Sequence, residues 1–223
     1  MMLFESVLNL LFPPKCVLCG KVLERHETDL CRTCRTDSPA CTGKHKNFSF
    51  LDSWAAVWYY EENIRGSLLR YKFHHARHYA PTYGRHLAMR LQQEYPEGFD
   101  LLTWVPVSSL RRLKRGYDQV ELLAEAVGRE LGMTPVRTLQ KIRHNRPQSR
   151  IVGQAERRAN VLGAYRVTLS QQIPGKRVLL LDDIVTTGAT AGECARMLLT
   201  AGAKEVHCGF VAAARHYEMN SNR

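Results

Sequence analysis

The sequence predicts an α/β protein: a parallel sheet flanked by helices, preceded by a small cysteine-rich unit. Three observations carry this. Strand-like and helix-like runs alternate from about residue 54 to the end. The run "RVLLLDD" is a short apolar segment bounded by charge, as a strand buried on both faces would be. Two C-x2-C pairs stand close to the N-terminus. The expected division is a short helix plus four-cysteine unit over 1–45 and an α/β domain over 46–223.

The 223 residues suffice for one full domain and a small one. A hydrophobic content of 44% with 24% charged residues excludes fibrous and disordered classes. The formal net charge of +11 points to an anionic substrate or a polyanionic partner, without choosing between them.

In "MMLFESVLNLLFPP", Leu3, Phe4, Val7, Leu8 and Leu11 share one helical face, and Pro13-Pro14 ends the run. The stretch is far shorter than the roughly 20 apolar residues of a membrane span. It also lacks the basic start and small-residue cleavage site of a secretory signal. The expected setting is cytoplasmic. Cys16, Cys19, Cys31 and Cys34 follow as C-x2-C, eleven residues, C-x2-C. In a chain without a secretory signal, such pairs suit a closed tetrahedral zinc site that holds structure and leaves no open position for chemistry. Cys41 is an alternative ligand, farther from its neighbours. Cys194 and Cys208 sit in apolar stretches and read as core.

The remaining elements follow in order. Residues 54–60 ("WAAVWYY") read as a strand and 63–73 as a short helix; 83–95 have a helical period through Leu87 and Leu91. Residues 100–107 read as a buried strand. Val120, Leu123, Ala124, Val127 and Leu131 mark an amphipathic helix closed by Gly132. Residues 162–169, "RVLLLDD" and "EVHCGFVAAA" read as strands. Between the last two, Ala191, Cys194, Ala195, Leu198 and Leu199 share a helical face, with Gly202 as its cap.

The stretch "VLLLDDIVTTGAT" (178–190) carries the chemistry. A buried parallel strand over 178–181 delivers Asp182 and Asp183 to the carboxyl edge of the sheet, where open α/β sheets bind ligands. The loop 185–190 leads into a helix N-terminus, whose N–H groups and dipole favour an anion. Thr186, Thr187 and Thr190 add hydroxyls, and Gly188 permits close approach to a phosphate. One end suits a phosphate monoester; the other offers carboxylates to vicinal hydroxyls. Ribose 5-phosphate and its derivatives have both groups.

These residues resemble the phosphoribosyl-pyrophosphate (PRPP) signature of type I phosphoribosyltransferases: four apolar residues, two acids, two apolar residues, then T-T-G-x-T. Together with the four-cysteine unit and "RGYDQVELLAE", the chain resembles the ComF/GntX family of bacterial phosphoribosyltransferase-like proteins, from Leu11 to about Ala214. The resemblance implies that Asp182 and Asp183 hold the ribose hydroxyls and that Thr186, Thr187, Gly188, Ala189 and Thr190 wrap the 5-phosphate. It implies a loop after an earlier strand that contacts the pyrophosphate, here "VPVSSLRRLKRGYDQ", through Ser108, Arg111, Arg112, Lys114 and Arg115, with Lys72 of "YKFHHARHY" also at the site. A hood would cover the site through "KIRHNRPQSRIVGQAERRANVLGAY", with Arg146, Gln148, Arg157, Arg158 and Asn160 as its polar content and a helix at "QAERRANVLGA". An active enzyme would use magnesium with PRPP, transferring the phosphoribosyl group from PRPP to a nitrogen nucleophile and releasing pyrophosphate. The family is associated with uptake and use of extracellular DNA. A second expectation is therefore an inactive module that handles single-stranded DNA with DNA-uptake proteins. His74 and His78 stand at i, i+4, which suits either a solvated face or a metal pair. Trp54, Trp58, Tyr59 and Tyr60 suit a buried strand better than a base-stacking surface.

Overall fold

A computed structural model describes residues 13–143 and 154–215. The expected N-terminal helix lies outside them. The β-branched, Leu and aromatic runs form the central sheet. Its strands are β1 (Ser53–Tyr59), β2 (Leu101–Trp104), β5 (Arg177–Val185) and β6 (Glu205–Ala213), all parallel, in the order β1-β6-β5-β2. Every residue of β1 and β2 is buried, as strands covered on both faces require. The helices are α1 (Arg32–Asp37), α2 (Glu62–Phe73), α3 (Ala80–Glu94), α4 (Ser109–Arg115), α5 (Gln119–Leu131), α6 (Gln154–Val161) and α7 (Ala189–Thr200).

Two departures from the sequence reading matter for the site. The strand expected at 178–181 runs on through both acids to Val185, because pairing with β6 continues as far as Val185↔Ala213. The acids therefore lie within the paired strand rather than just beyond its end. The segment 162–169 does not join the main sheet. Only Tyr165–Val167 (β4) is extended, paired antiparallel with β3 (Leu139–Lys141) in a separate two-stranded ribbon. A Thr103 Oγ1–Thr138 Oγ1 hydrogen bond of 2.8 Å ties that ribbon's approach to β2.

The apolar face of α5 packs on α3 and on the sheet. At Gly84 of α3 a Cβ would lie 2.4 Å from Ala126 Cβ, so the two helices meet at backbone distance. Asp118 caps α5 by accepting from Val120 N–H and Glu121 N–H, at 3.0 and 3.2 Å. Gly132, with φ 68°, ends the helix in the left-handed conformation. Cys194 and Cys208 are fully buried.

The cysteine unit packs against α2. Ser67 Oγ donates to Val17 O at 2.5 Å, and Arg70 Nη2 donates to Leu18 O at 2.7 Å. Arg85 pairs with Asp29. Trp54, Trp58 and Tyr59 are core residues, whereas Tyr60 lies at the cavity described next. Among the described residues, no helix is long and apolar enough to cross a membrane.

Candidate functional site

The carboxyl ends of β1, β2, β5 and β6 open into a cavity of about 670 Å³, within the range of small-molecule sites. The whole segment Asp182–Ala191 lines it. Gly188 stands at the N-cap of α7 with φ 66° and, as a glycine, supplies no capping side chain. Thr187 Oγ1 accepts from Ala189 N–H at 3.4 Å, and the helix dipole makes this end positive. A Cβ on Gly188 would lie 2.4 Å from the Phe48 ring, so both the backbone angle and the packing below the loop require glycine.

The two acids have different environments. Asp183 is 4% exposed, and both of its carboxylate oxygens are engaged. Lys72 Nζ stands 2.8 Å from Oδ1, and Gln119 Nε2 donates to Oδ2 at 3.0 Å. Asp182 is half-buried and accepts the Asp183 N–H at 2.8 Å. Burial, with the negative charge of Asp183 added, pushes its carboxyl up to about 8. Lys72 reaches the site because α2 ends there, and Gln119 because it opens α5. Tyr71 joins these helices by donating from its hydroxyl to Gln119 O at 2.6 Å.

The residues expected at the pyrophosphate divide into two groups. Lys72, Arg111, Lys114 and Arg115 line the cavity. Ser108 and Arg112 do not. The segment expected to be a loop contains α4, and Ser108 caps that helix by accepting from Arg111 N–H at 3.4 Å. Arg112 faces away, 3.7 Å from Glu121. Arg115 donates to Gln119 Oε1 at 2.8 Å and stacks over Phe73. Its burial lowers its affinity for a proton.

The helical segment expected in the hood is α6, whose following Gly163 N–H donates to Glu193 of α7 at 2.9 Å. Arg157 lines the cavity and Asn160 is half-buried outside its lining. Arg146, Gln148 and the Arg158 side chain lie outside the described residues.

Lys141, Tyr165 and Gln119 also line the cavity and were not singled out from the sequence. Lys141 Nζ is 3.2 Å from Tyr165 OH, and burial beside Arg111 lowers its ammonium to about 8. No local signal marks Lys141, since only the β3–β4 pairing brings it here. Gln119 had one: it directly follows the capping aspartate of an amphipathic helix.

The four sulfurs of Cys16, Cys19, Cys31 and Cys34 lie within 4.8 Å of one another, with Cys19 and Cys31 3.7 Å apart. A tetrahedron with zinc–sulfur bonds of about 2.3 Å has edges of about 3.8 Å, so the cluster fits that ion. It is the only such cluster among the described residues. His74 and His78 are exposed and belong to no metal-binding cluster, and Cys41 lies apart, 3.6 Å from His45.

A parallel sheet ending in this cradle, with a cysteine ribbon before it, defines a phosphoribosyltransferase-like domain carrying a zinc ribbon. Residues 114–223 match the model of a phosphoribosyl transferase domain, and residues 7–45 that of a double zinc ribbon domain. Both matches agree with the resemblance to phosphoribosyltransferase-like proteins that carry an N-terminal zinc unit. It is 28% identical to Competence protein F of Haemophilus influenzae over 210 residues, covering 90% of this chain and 85% of that protein. It is 26% identical to Competence protein ComFC of Bacillus subtilis, covering 84% and 72%. It is 33% identical to DNA utilization protein YhgH of Salmonella typhimurium over 108 residues, a match that spans less than half of either chain, 48% and 46%.

Proposed function

We propose that the protein binds PRPP at the 182–190 cradle and serves in the uptake or utilisation of extracellular DNA. The observation that carries the ligand is the junction of a glycine-opened helix N-terminus with an acidic pair on one wall of a cationic cavity. The 5-phosphate would sit on the N–H groups of α7 with the hydroxyls of Thr186, Thr187 and Thr190 around it. The ribose hydroxyls would face Asp182 and Asp183. Arg111, Lys114 and Arg115 would meet the diphosphate, and zinc would hold the four cysteines as a structural ion. The relatives' names support the place in DNA handling. In transfer to an acceptor, a nitrogen lone pair forms the bond to C1, and the C1–O bond breaks to release pyrophosphate. The cavity's cations would stabilise that leaving group.

A second reading is a module that binds single-stranded DNA without turnover. The surface of α4 favours it: Leu110 and Leu113 are exposed among four basic residues. Salt dependence separates the two. DNA held through several phosphates weakens steeply with salt, with a log–log slope that follows the number of contacts. PRPP bound in the cradle is lost in Thr187→Glu, whereas DNA held on the outer face of α4 is retained. If Thr187→Glu leaves PRPP affinity unchanged, the cradle assignment is wrong.

A further inference from the structure

The class resemblance brings magnesium in with PRPP, yet the acidic pair is poorly suited to serve a divalent cation. Resting on the PRPP reading above, we propose that Lys72 supplies the positive charge internally, so that PRPP binds here without magnesium.

The argument starts from free oxygens. Where a protein itself helps to hold magnesium, it does so through one or two ionised carboxylates, with substrate phosphates and waters completing the shell. Both oxygens of Asp183 are already engaged, Oδ1 by Lys72 Nζ at 2.8 Å and Oδ2 by Gln119 Nε2 at 3.0 Å, which leaves room for a further hydroxyl donor but compensates the charge a metal would meet. Asp182 already accepts a backbone N–H, and its burial beside Asp183 favours the protonated carboxyl. Lys72 is therefore the cation of the pair, a fixed ammonium where a metal would otherwise compensate charge.

The rest of the cavity agrees in sign. Lys72, Arg111, Lys114, Arg115, Lys141 and Arg157 line it against only two carboxylates. A diphosphate entering it meets cations before it meets any need for a metal. Lys72 is also held in place. Its helix is fixed by Tyr71 to α5 on one side and by Ser67 and Arg70 to the cysteine unit on the other. The ammonium is thus preorganised at the acids, and no ion has to be recruited.

The test is a calorimetric titration of PRPP into the zinc-loaded protein, in buffer stripped of magnesium by passage over a chelating resin and again with millimolar magnesium. Soluble chelators are avoided because they would attack the cysteine site; zinc content is measured in every sample. The expected wild-type dissociation constants agree within about threefold. Lys72→Met, which keeps the length and loses the charge, is expected to bind ~10- to 100-fold more weakly without magnesium, the size of one charge-assisted contact. Magnesium is expected to restore part of that loss, and Lys72→Arg to stay close to wild type. Wild-type binding that appears only with magnesium overturns the proposal, with no variant needed. A Lys72→Met protein that keeps its zinc and its thermal midpoint, yet binds normally without magnesium, overturns the role of Lys72. Absence of binding in both buffers removes the PRPP reading itself and this proposal with it.

Discussion

Asp182 offers a sharp test of the site's electrostatics through stability alone. Its carboxyl is raised from an ordinary value near 3.8 to about 8 by burial and by the charge of Asp183. The folded chain thus holds a proton that the unfolded chain has released. The associated stability is complete below the unfolded value and is lost as pH rises towards 8. Between pH 6 and pH 8 the loss spans about two units, or about 2.7 kcal/mol at 1.36 kcal/mol per unit. The side chain's partial exposure reduces this to about 1.5–2.5 kcal/mol. Asp182→Asn has no proton to lose and can still accept the Asp183 N–H. Its stability relative to wild type is expected to rise by that amount from pH 6 to pH 8 and to level off above. For a chain of this size the thermal midpoint difference should widen by about 3–10 °C. Thermal unfolding of both proteins at half-unit pH steps measures it. A difference independent of pH, or one that widens towards acid, would refute the assignment.

Three further predictions concern packing and metal. Gly84→Ala places a methyl 2.4 Å from Ala126 Cβ and is expected to cost about 1–3 kcal/mol in denaturant unfolding, by forcing α3 and α5 apart. Gly188→Ala meets both a positive φ and the Phe48 ring; a loss of about 2–4 kcal/mol is expected, and PRPP should no longer bind in calorimetry. Cys19→Ser is expected to reduce zinc from about one per chain to near zero by atomic absorption, and to lower the thermal midpoint, because the knuckle backbone is the acceptor for Ser67 and Arg70.

The main sheet was legible in the sequence because its strands are covered on both faces. Burial forces continuous apolar runs there, and "RVLLLDD" and "EVHCGFVAAA" show them plainly. The cysteine pairs were equally legible, since their ligand spacing is local. What escaped was set by partners distant in sequence. The buried strand was expected to stop at 181 with Asp182 and Asp183 at its edge, yet β6 continues alongside them to Val185. "SSLRRLKR" was expected to be a loop on the resemblance alone; its helix buries nothing and depends on the Ser108 cap and the left-handed Gly116. The cradle residues were found together because they are contiguous. Gln119 and Lys141 come from other elements; the helix cap marks Gln119 locally, whereas Lys141 is placed by ribbon packing that no local pattern encodes.

The most direct test of the account is calorimetric titration of PRPP into the zinc-loaded chain, with Thr187→Glu beside it. The account predicts saturable binding at one ligand per chain, abolished by a carboxylate placed among the N–H groups of α7. No heat of binding at millimolar PRPP, or equal binding by both proteins, would contradict it.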